Sequence, residues 1–227
     1  MFEWLKRNAP EEGDFQQVKR LFDQMMEDGR HCFDAASNAL LGGTDAETIK
    51  RDLWSTDKRI NRNERRIRRL VTISASSRGL ASIPTALVFM SLVKDAERIG
   101  DYAKNLFDLS RRGKTPDGAA KADLLELKDR ISRILVKARN IMDSEDGDSA
   151  MDLLSEMDRI QTHCDDKVDL ILVSEGEACG PLVSAALAYR FFKRTVSHTL
   201  NIVSSLVLPL DQLDYYDEDK LGRDPAT

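Results

Sequence analysis

The stretch FMSLVKDAERIGDYAKNLF, residues 89–107, decides how this chain folds. Phe89, Val93, Ala96, Gly100, Ala103 and Phe107 recur at intervals of three and four, the spacing that lines one side of an α-helix. Glu97 and Asp101 stand one turn apart on a stripe of their own. Upstream, Pro84 suits the first turn, where a missing N–H leaves no bond unmade, and the seam fades near Arg111.

Working outward, the same period holds almost everywhere. Val18, Leu21, Phe22, Met25, Phe33, Ala36 and Leu40 predict a first helix over about 14–41, stopped by Gly42 and Gly43. Met25 and Met26 read as fillers of core gaps. Thr44 and Glu47 have capping-box spacing for a second helix. Its seam, Ile49, Leu53, Thr56, Ile60, Asn63, Ile67, Leu70 and Ser74, ends in a Ser/Gly-rich break over 74–82. Gly113, Pro116 and Gly118 mark a linker at 112–118. Beyond it the layout repeats, with helices predicted over about 119–143, 149–173 and 181–208, and Pro181 again opens the third. Setting 97–106 over 193–202 aligns Arg98 with Arg194 and Asn105 with Asn201. The expectation is an all-α chain of two tandem three-helix bundles. Bundle 1 would span 14–111 and bundle 2 would span 119–208. A leader (1–13) and an acidic tail (209–227) flank them.

Composition agrees. Of 227 residues 41% are hydrophobic and 32% charged, while 12 Gly and 6 Pro are too few for a β-sandwich or a disordered chain. No apolar run reaches the roughly 18 residues of a membrane span, and the N-terminus lacks the apolar core of a secretion signal, so a cytoplasmic location is expected. Cys32, Cys164 and Cys179 are too few and too scattered for a disulfide framework or a zinc ribbon. The net charge of −5 sits mostly in the tail, where six acids from Asp211 onward face Lys220 and Arg223. A general nucleic-acid binder would be strongly basic instead.

No phosphate-cradling glycine loop or nucleophile elbow is present, so the chain is expected to bind rather than catalyse, with no small-molecule substrate. Asp28 and His31 are spaced like half of a di-iron motif, but the two Glu-x-x-His pairs it needs are missing. The residues with chemical potential are carboxylates. Asp57, Asn61 and Glu64 share a stripe of the second helix. Heptad assignment puts Asp57, Glu64 and Glu97 at e positions, which face each other in an antiparallel pair, and Asn61 and Asp101 at b. Four carboxylates, Glu97, Asp101, Asp57 and Glu64, are thus expected beside the core seam, and Asp108 would extend the stripe. Their mutual repulsion would turn into attraction around a cation, and an all-oxygen set suits a hard or borderline ion. Interspersed Lys58, Arg59, Arg98 and Lys104 support the competing reading, a solvated acidic face.

Residues 94–106, KDAERIGDYAKNL, resemble the E/D-x-x-x-D signature of the phosphate-uptake regulator (PhoU) family, whose core runs Glu-Arg-Ile-Gly-Asp. The helix of Asp57, Ile60, Asn61 and Glu64 resembles the one that precedes it. The resemblance implies paired three-helix bundles, a homodimer, and iron, zinc or manganese held on the acidic motif. It further implies a negative regulator that links a membrane phosphate transporter subunit to a sensor kinase, peripheral to the inner membrane. The alternative is a helical adaptor with no metal site that serves a sodium–phosphate symporter or another membrane partner. Where the family expects a second acidic pair, this chain has Lys193 and Ser197, so metal is expected in bundle 1 only. His198, at the position of Tyr102, reads as a satisfied surface histidine.

Two features stand outside that scheme. Lys58, Arg59, Arg62, Arg65, Arg66, Arg68 and Arg69 crowd one helix, with Arg62, Arg65, Arg66 and Arg69 facing outward. They read either as a solvated face paired with nearby acids or as a docking patch for an acidic surface, anionic lipid or nucleic acid. No interleaved aromatics support base stacking, and no nucleic-acid partner is expected. The leader FEWLKR (2–7) mixes bulky apolar residues with bases and suits either a bilayer or its own bundle.

Overall fold

A computed structural model describes residues 12–78, 80–175 and 179–216. Six long helices carry the fold: α1 (Glu12–Leu40), α2 (Ala46–Arg78), α3 (Ile83–Arg112), α4 (Gly118–Ser144), α5 (Gly147–Leu172) and α6 (Cys179–Ser204). There is no strand among the described residues. Helices α1, α2 and α3 pack on one another, as do α4, α5 and α6, and the bundles meet through α3 on α6 and α1 on α4. The all-α double bundle expected from periodicity is the observed architecture.

The core is continuous across that junction. Met25, Met26 and Phe33 on α1 are fully buried, and the Phe33 ring lies 5.1 Å from that of Phe192 on α6. Burying side chains of this size contributes about 1.5–3 kcal/mol each. Gly42, at φ 85°, takes the left-handed turn that ends α1. Gly100 matters more for the site, since a Cβ there would stand 3.0 Å from Ile60 Cδ1. Its bare backbone lets α2 and α3 approach closely.

Helix ends differ from expectation where hydroxyl and carboxylate side chains bond locally. Helix α2 begins at Ala46 behind Asp45, whose carboxylate accepts from Thr48 Oγ1 at 3.2 Å, rather than behind Thr44. It also runs past Ser74 to Arg78, and within it the hydroxyls of Thr72, Ser76 and Ser77 bond to backbone oxygens one turn back instead of capping a turn. Helix α5 starts at Gly147 because the Asp146 carboxylate accepts from the Asp148 and Ser149 amides, both at 3.1 Å. Helix α6 stops at Ser204, short of the expected 208. The chain then folds back, burying Leu206 and Leu213 and turning at Asp214 (φ 72°), which accepts from Ser91 and Lys94 of α3, each at 3.2 Å. The first part of the expected tail is therefore docked on bundle 1. Leader residues 1–11 and tail residues 217–227 lie outside the described residues.

Candidate functional site

The four carboxylates lie between α2 and α3, and a lysine is among them. Lys104 Nζ sits 2.8 Å from Asp57 Oδ1 and 2.8 Å from Asp101 Oδ1, bridging the two helices. Asn61 donates to the other Asp57 oxygen at 3.3 Å, and Arg98 reaches Asp101 Oδ2 at 3.3 Å. Glu64 pairs along its own helix with Arg68 at 2.8 Å. Burial opposes the charge on Lys104, but bonds from Asp101 and Asp57 prevail and raise its pKa.

Glu97 is the exception. Among the described residues it makes no hydrogen bond or ion pair, although it is about half buried. Burial, followed by the carboxylates of Asp101 and Glu64, lifts its pKa from 4.5 to about 7 against the opposing pull of Arg98 and Lys104. The arrangement holds one carboxyl at the edge of ionisation with no partner for its charge.

An oxygen-only donor set of this kind fits a hard or borderline cation. As placed, however, the side chains are ion-paired rather than gathered. Among the described residues no three His, Cys, Asp or Glu side chains stand close enough to hold a metal. Asp28 is bound by Arg59 and His31 by Asp52, so that half-motif makes interhelical ties.

The raised Glu97 pKa has a thermodynamic consequence. Its folded value lies above its unfolded one, so its contribution to stability is fully present below about pH 4.5 and is lost as pH rises through 7. A fully buried carboxyl with this displacement would lose about 3 kcal/mol. Half exposed to water, Glu97 should lose about 1–2 kcal/mol. Glu97→Gln should therefore stabilise the chelator-treated protein at pH 8 and leave it unchanged at pH 4. Urea denaturation at both pH values checks this, and an unaltered pH dependence in the variant would contradict it.

In bundle 2 the corresponding place is filled differently. Lys193 on α6 forms an ion pair with Asp165 on α5, and Ser197 Oγ donates to Gln161 Oε1. Lys193 thus faces Asp165 much as Glu97 faces Glu64.

Sequence reasoning missed the junction between the bundles. His198 is not on the surface: it is 9% exposed, and its Nδ1 donates at 2.7 Å to Asp95 Oδ1, a carboxylate with no exposure at all. Asn201 adds a longer bond to the same oxygen at 3.4 Å. Tyr102 stacks on the imidazole with centroids 5.6 Å apart, and Arg194 Nε donates to its hydroxyl at 3.2 Å. Asp95 Oδ2 and His198 Nε2 are buried without a partner. Burial raises the Asp95 pKa, Asp214 adds to that effect, and the His198 bond opposes it. The available signal was Asp95, an acid next to the apolar seam residue Ala96.

Comparison with known proteins places these features in context. Residues 22–109, which hold the acidic face, match the PhoU domain, in agreement with the resemblance read from residues 94–106. No curated protein matches the chain. Among solved structures, PhoU from Pseudomonas aeruginosa is similar at TM-score 0.73 and 20% identity, over 88% of this chain and 98% of that one. The phosphate transport system regulatory protein PhoU from Streptococcus pneumoniae is similar at TM-score 0.71 and 17% identity, over 89% of this chain and 97% of that one.

Proposed function

We infer, from a first bundle that matches the PhoU domain and a chain that shares its fold with two PhoU structures, that this protein regulates phosphate transport by binding rather than by catalysis. Its place would be the cytoplasm, as a homodimer at the inner membrane, restraining uptake when phosphate is plentiful. The partner would be a transporter subunit or a sensor kinase. No described helix is long and apolar enough to cross a membrane, which fits a peripheral role.

The observation that carries the metal-dependent form of this reading is Glu97, an unpartnered carboxyl inside an acidic face. Glu97, Asp101, Glu64 and Asp57 would hold iron, zinc or manganese, whose charge would neutralise that face. For both oxygens of Asp57 and Asp101 to be free for such an ion, Lys104 would have to leave its bridge between them. Lys104 therefore couples the site to the α2–α3 contact: its release frees the two helices to adjust against each other.

Elemental analysis of tag-free protein beside Glu97→Ala/Asp101→Ala tests the site. Bound metal in the parent and at least a tenfold loss in the variant is the expected result. Equal metal in both would refute the assignment of these residues. A second reading, the metal-free adaptor, is favoured by Lys104, which already neutralises two of the four carboxylates. It predicts no metal in either sample and unaltered phosphate uptake in cells that carry the variant. The regulatory role stands or falls separately, on whether cells lacking the protein accumulate excess phosphate in rich medium.

A further inference from the structure

We propose that the end of bundle 1 formed by the α2–α3 turn docks directly onto an anionic lipid bilayer. From Arg65 to Lys94 the sequence carries six basic residues and no acid, in a chain with 39 acids overall. This acid-free stretch is the C-terminal half of α2, the turn, and the N-terminal part of α3. At its tip, Ile73, Leu80, Ile83 and Leu87 are exposed, Leu80 to 84%.

Set back from the tip along α2 are the arginines. Arg62, Arg65, Arg66 and Arg69, with Leu70, line a shallow depression of about 630 Å³. Arg62, Arg66 and Arg69 have no carboxylate partner among the described residues, and Arg65 bonds only to a backbone oxygen of its own helix. They contrast with Arg59 and Arg68, which are tied to Asp28 and Glu64. Asp214, which reaches the neighbouring part of α3, is held by Lys94 and Ser91.

The order of these features along the helix selects the partner. At 1.5 Å per residue, Arg69 lies about 6 Å, Arg66 about 10 Å and Arg62 about 16 Å behind Ile73. An interfacial layer about 5–8 Å deep outside the hydrocarbon would take Arg69 as the aliphatic tip entered, with Arg66 and Arg62 within a Debye length of it. An acidic protein would call for the charges without the aliphatic tip. Single-stranded nucleic acid would call for aromatic platforms, which this end does not display. Exposed aliphatics ahead of unpaired arginines fit anionic headgroups over acyl chains. The inference goes beyond the regulatory role and needs neither the metal nor a protein partner.

Co-sedimentation with vesicles of phosphatidylcholine, alone or with 30% phosphatidylglycerol, tests it with purified, chelator-treated protein, so that its failure would leave the regulatory reading untouched. Binding is expected to the anionic vesicles only and to weaken between 50 and 300 mM salt. At about fivefold per arginine, R62Q/R66Q/R69Q should bind about 100-fold more weakly, whereas R62K/R66K/R69K should retain binding. L80Q/L87Q should lose at least tenfold. All are exposed substitutions, and circular dichroism with thermal melting verifies that each variant folds. Absence of binding to anionic vesicles, or equal binding to both vesicle types, overturns the proposal. So does binding that ignores L80Q/L87Q while duplex DNA or poly-glutamate binds as tightly, which would make the end a general polyanion surface. A lipid-free dimer that dissociates in L80Q/L87Q would assign the tip to a second copy of the chain instead.

Discussion

His198→Ala should destabilise the protein by about 3 kcal/mol at pH 8 and by clearly less at pH 5. The imidazole donates the shortest hydrogen bond to Asp95, whose carboxylate has no exposure and whose second oxygen already lacks a partner. Removing one member of such a pair strands a charge in a poorly solvating interior. The sign of the pH dependence follows from the direction of the Asp95 shift. Its folded pKa is raised by burial, and the His198 bond is among the influences holding it down. Without that bond it rises further, so the variant's penalty grows as pH climbs above the carboxyl's raised value and falls to the lost packing of the ring once Asp95 is protonated. Asp95→Asn carries no charge and so leaves none to strand when the imidazole is gone. Added to His198→Ala, it should recover most of the loss at pH 8. Urea titrations at pH 5 and 8 decide the matter, and a loss that is equal at both pH values would contradict the electrostatic account.

Arg59→Met should be the second large loss, about 2–3 kcal/mol. Asp28 on α1 is nearly inaccessible, and its two oxygens each accept from the Arg59 guanidinium at 2.7 Å, with Gln24 adding one bond at 2.8 Å. The planar fork satisfies the carboxylate in a way no single donor does. Methionine retains the apolar stem and removes only the fork, which leaves Asp28 buried with Gln24 alone. The double variant Asp28→Asn/Arg59→Met, with no charge left to strand, should regain at least half of the loss. Thermal unfolding of the two variants checks this. A double variant no more stable than the single one would mean that packing, not charge, binds α1 to α2 here.

Much of the fold was legible because each helix has an apolar seam at a spacing that only a helix satisfies. Phe89 to Phe107 placed α3 correctly, with Pro84 in its first turn. What failed was local. Ser74 to Arg78 looked like the start of a break but continue α2, because a serine hydroxyl can bond either to its own helix, as those of Ser76 and Ser77 do, or to a turn. His198 looked external because a lone histidine at the position of Tyr102 shows no partner in the sequence, whereas α6 packs against α4 and α5 on one side and α3 on another. At the acidic face the four carboxylates could be placed on adjoining helices from sequence. The part played by Lys104 could not, because it depends on the α2–α3 register that Gly100 permits. The exposed aliphatics of the α2–α3 turn were equally hidden, since a periodic pattern marks what a helix buries and not which of its tips is left bare.

Lys193 gives the two halves of the molecule different histories in any one cell. The counter-ion of Asp165 is delivered by translation, one per chain, and no chelator or shortage can remove it. The other half leaves Glu97 to be neutralised by whatever the surroundings supply, a proton included. A duplicated architecture therefore carries one charge balanced at synthesis and one left to the medium, so its two halves answer differently to a change of acidity.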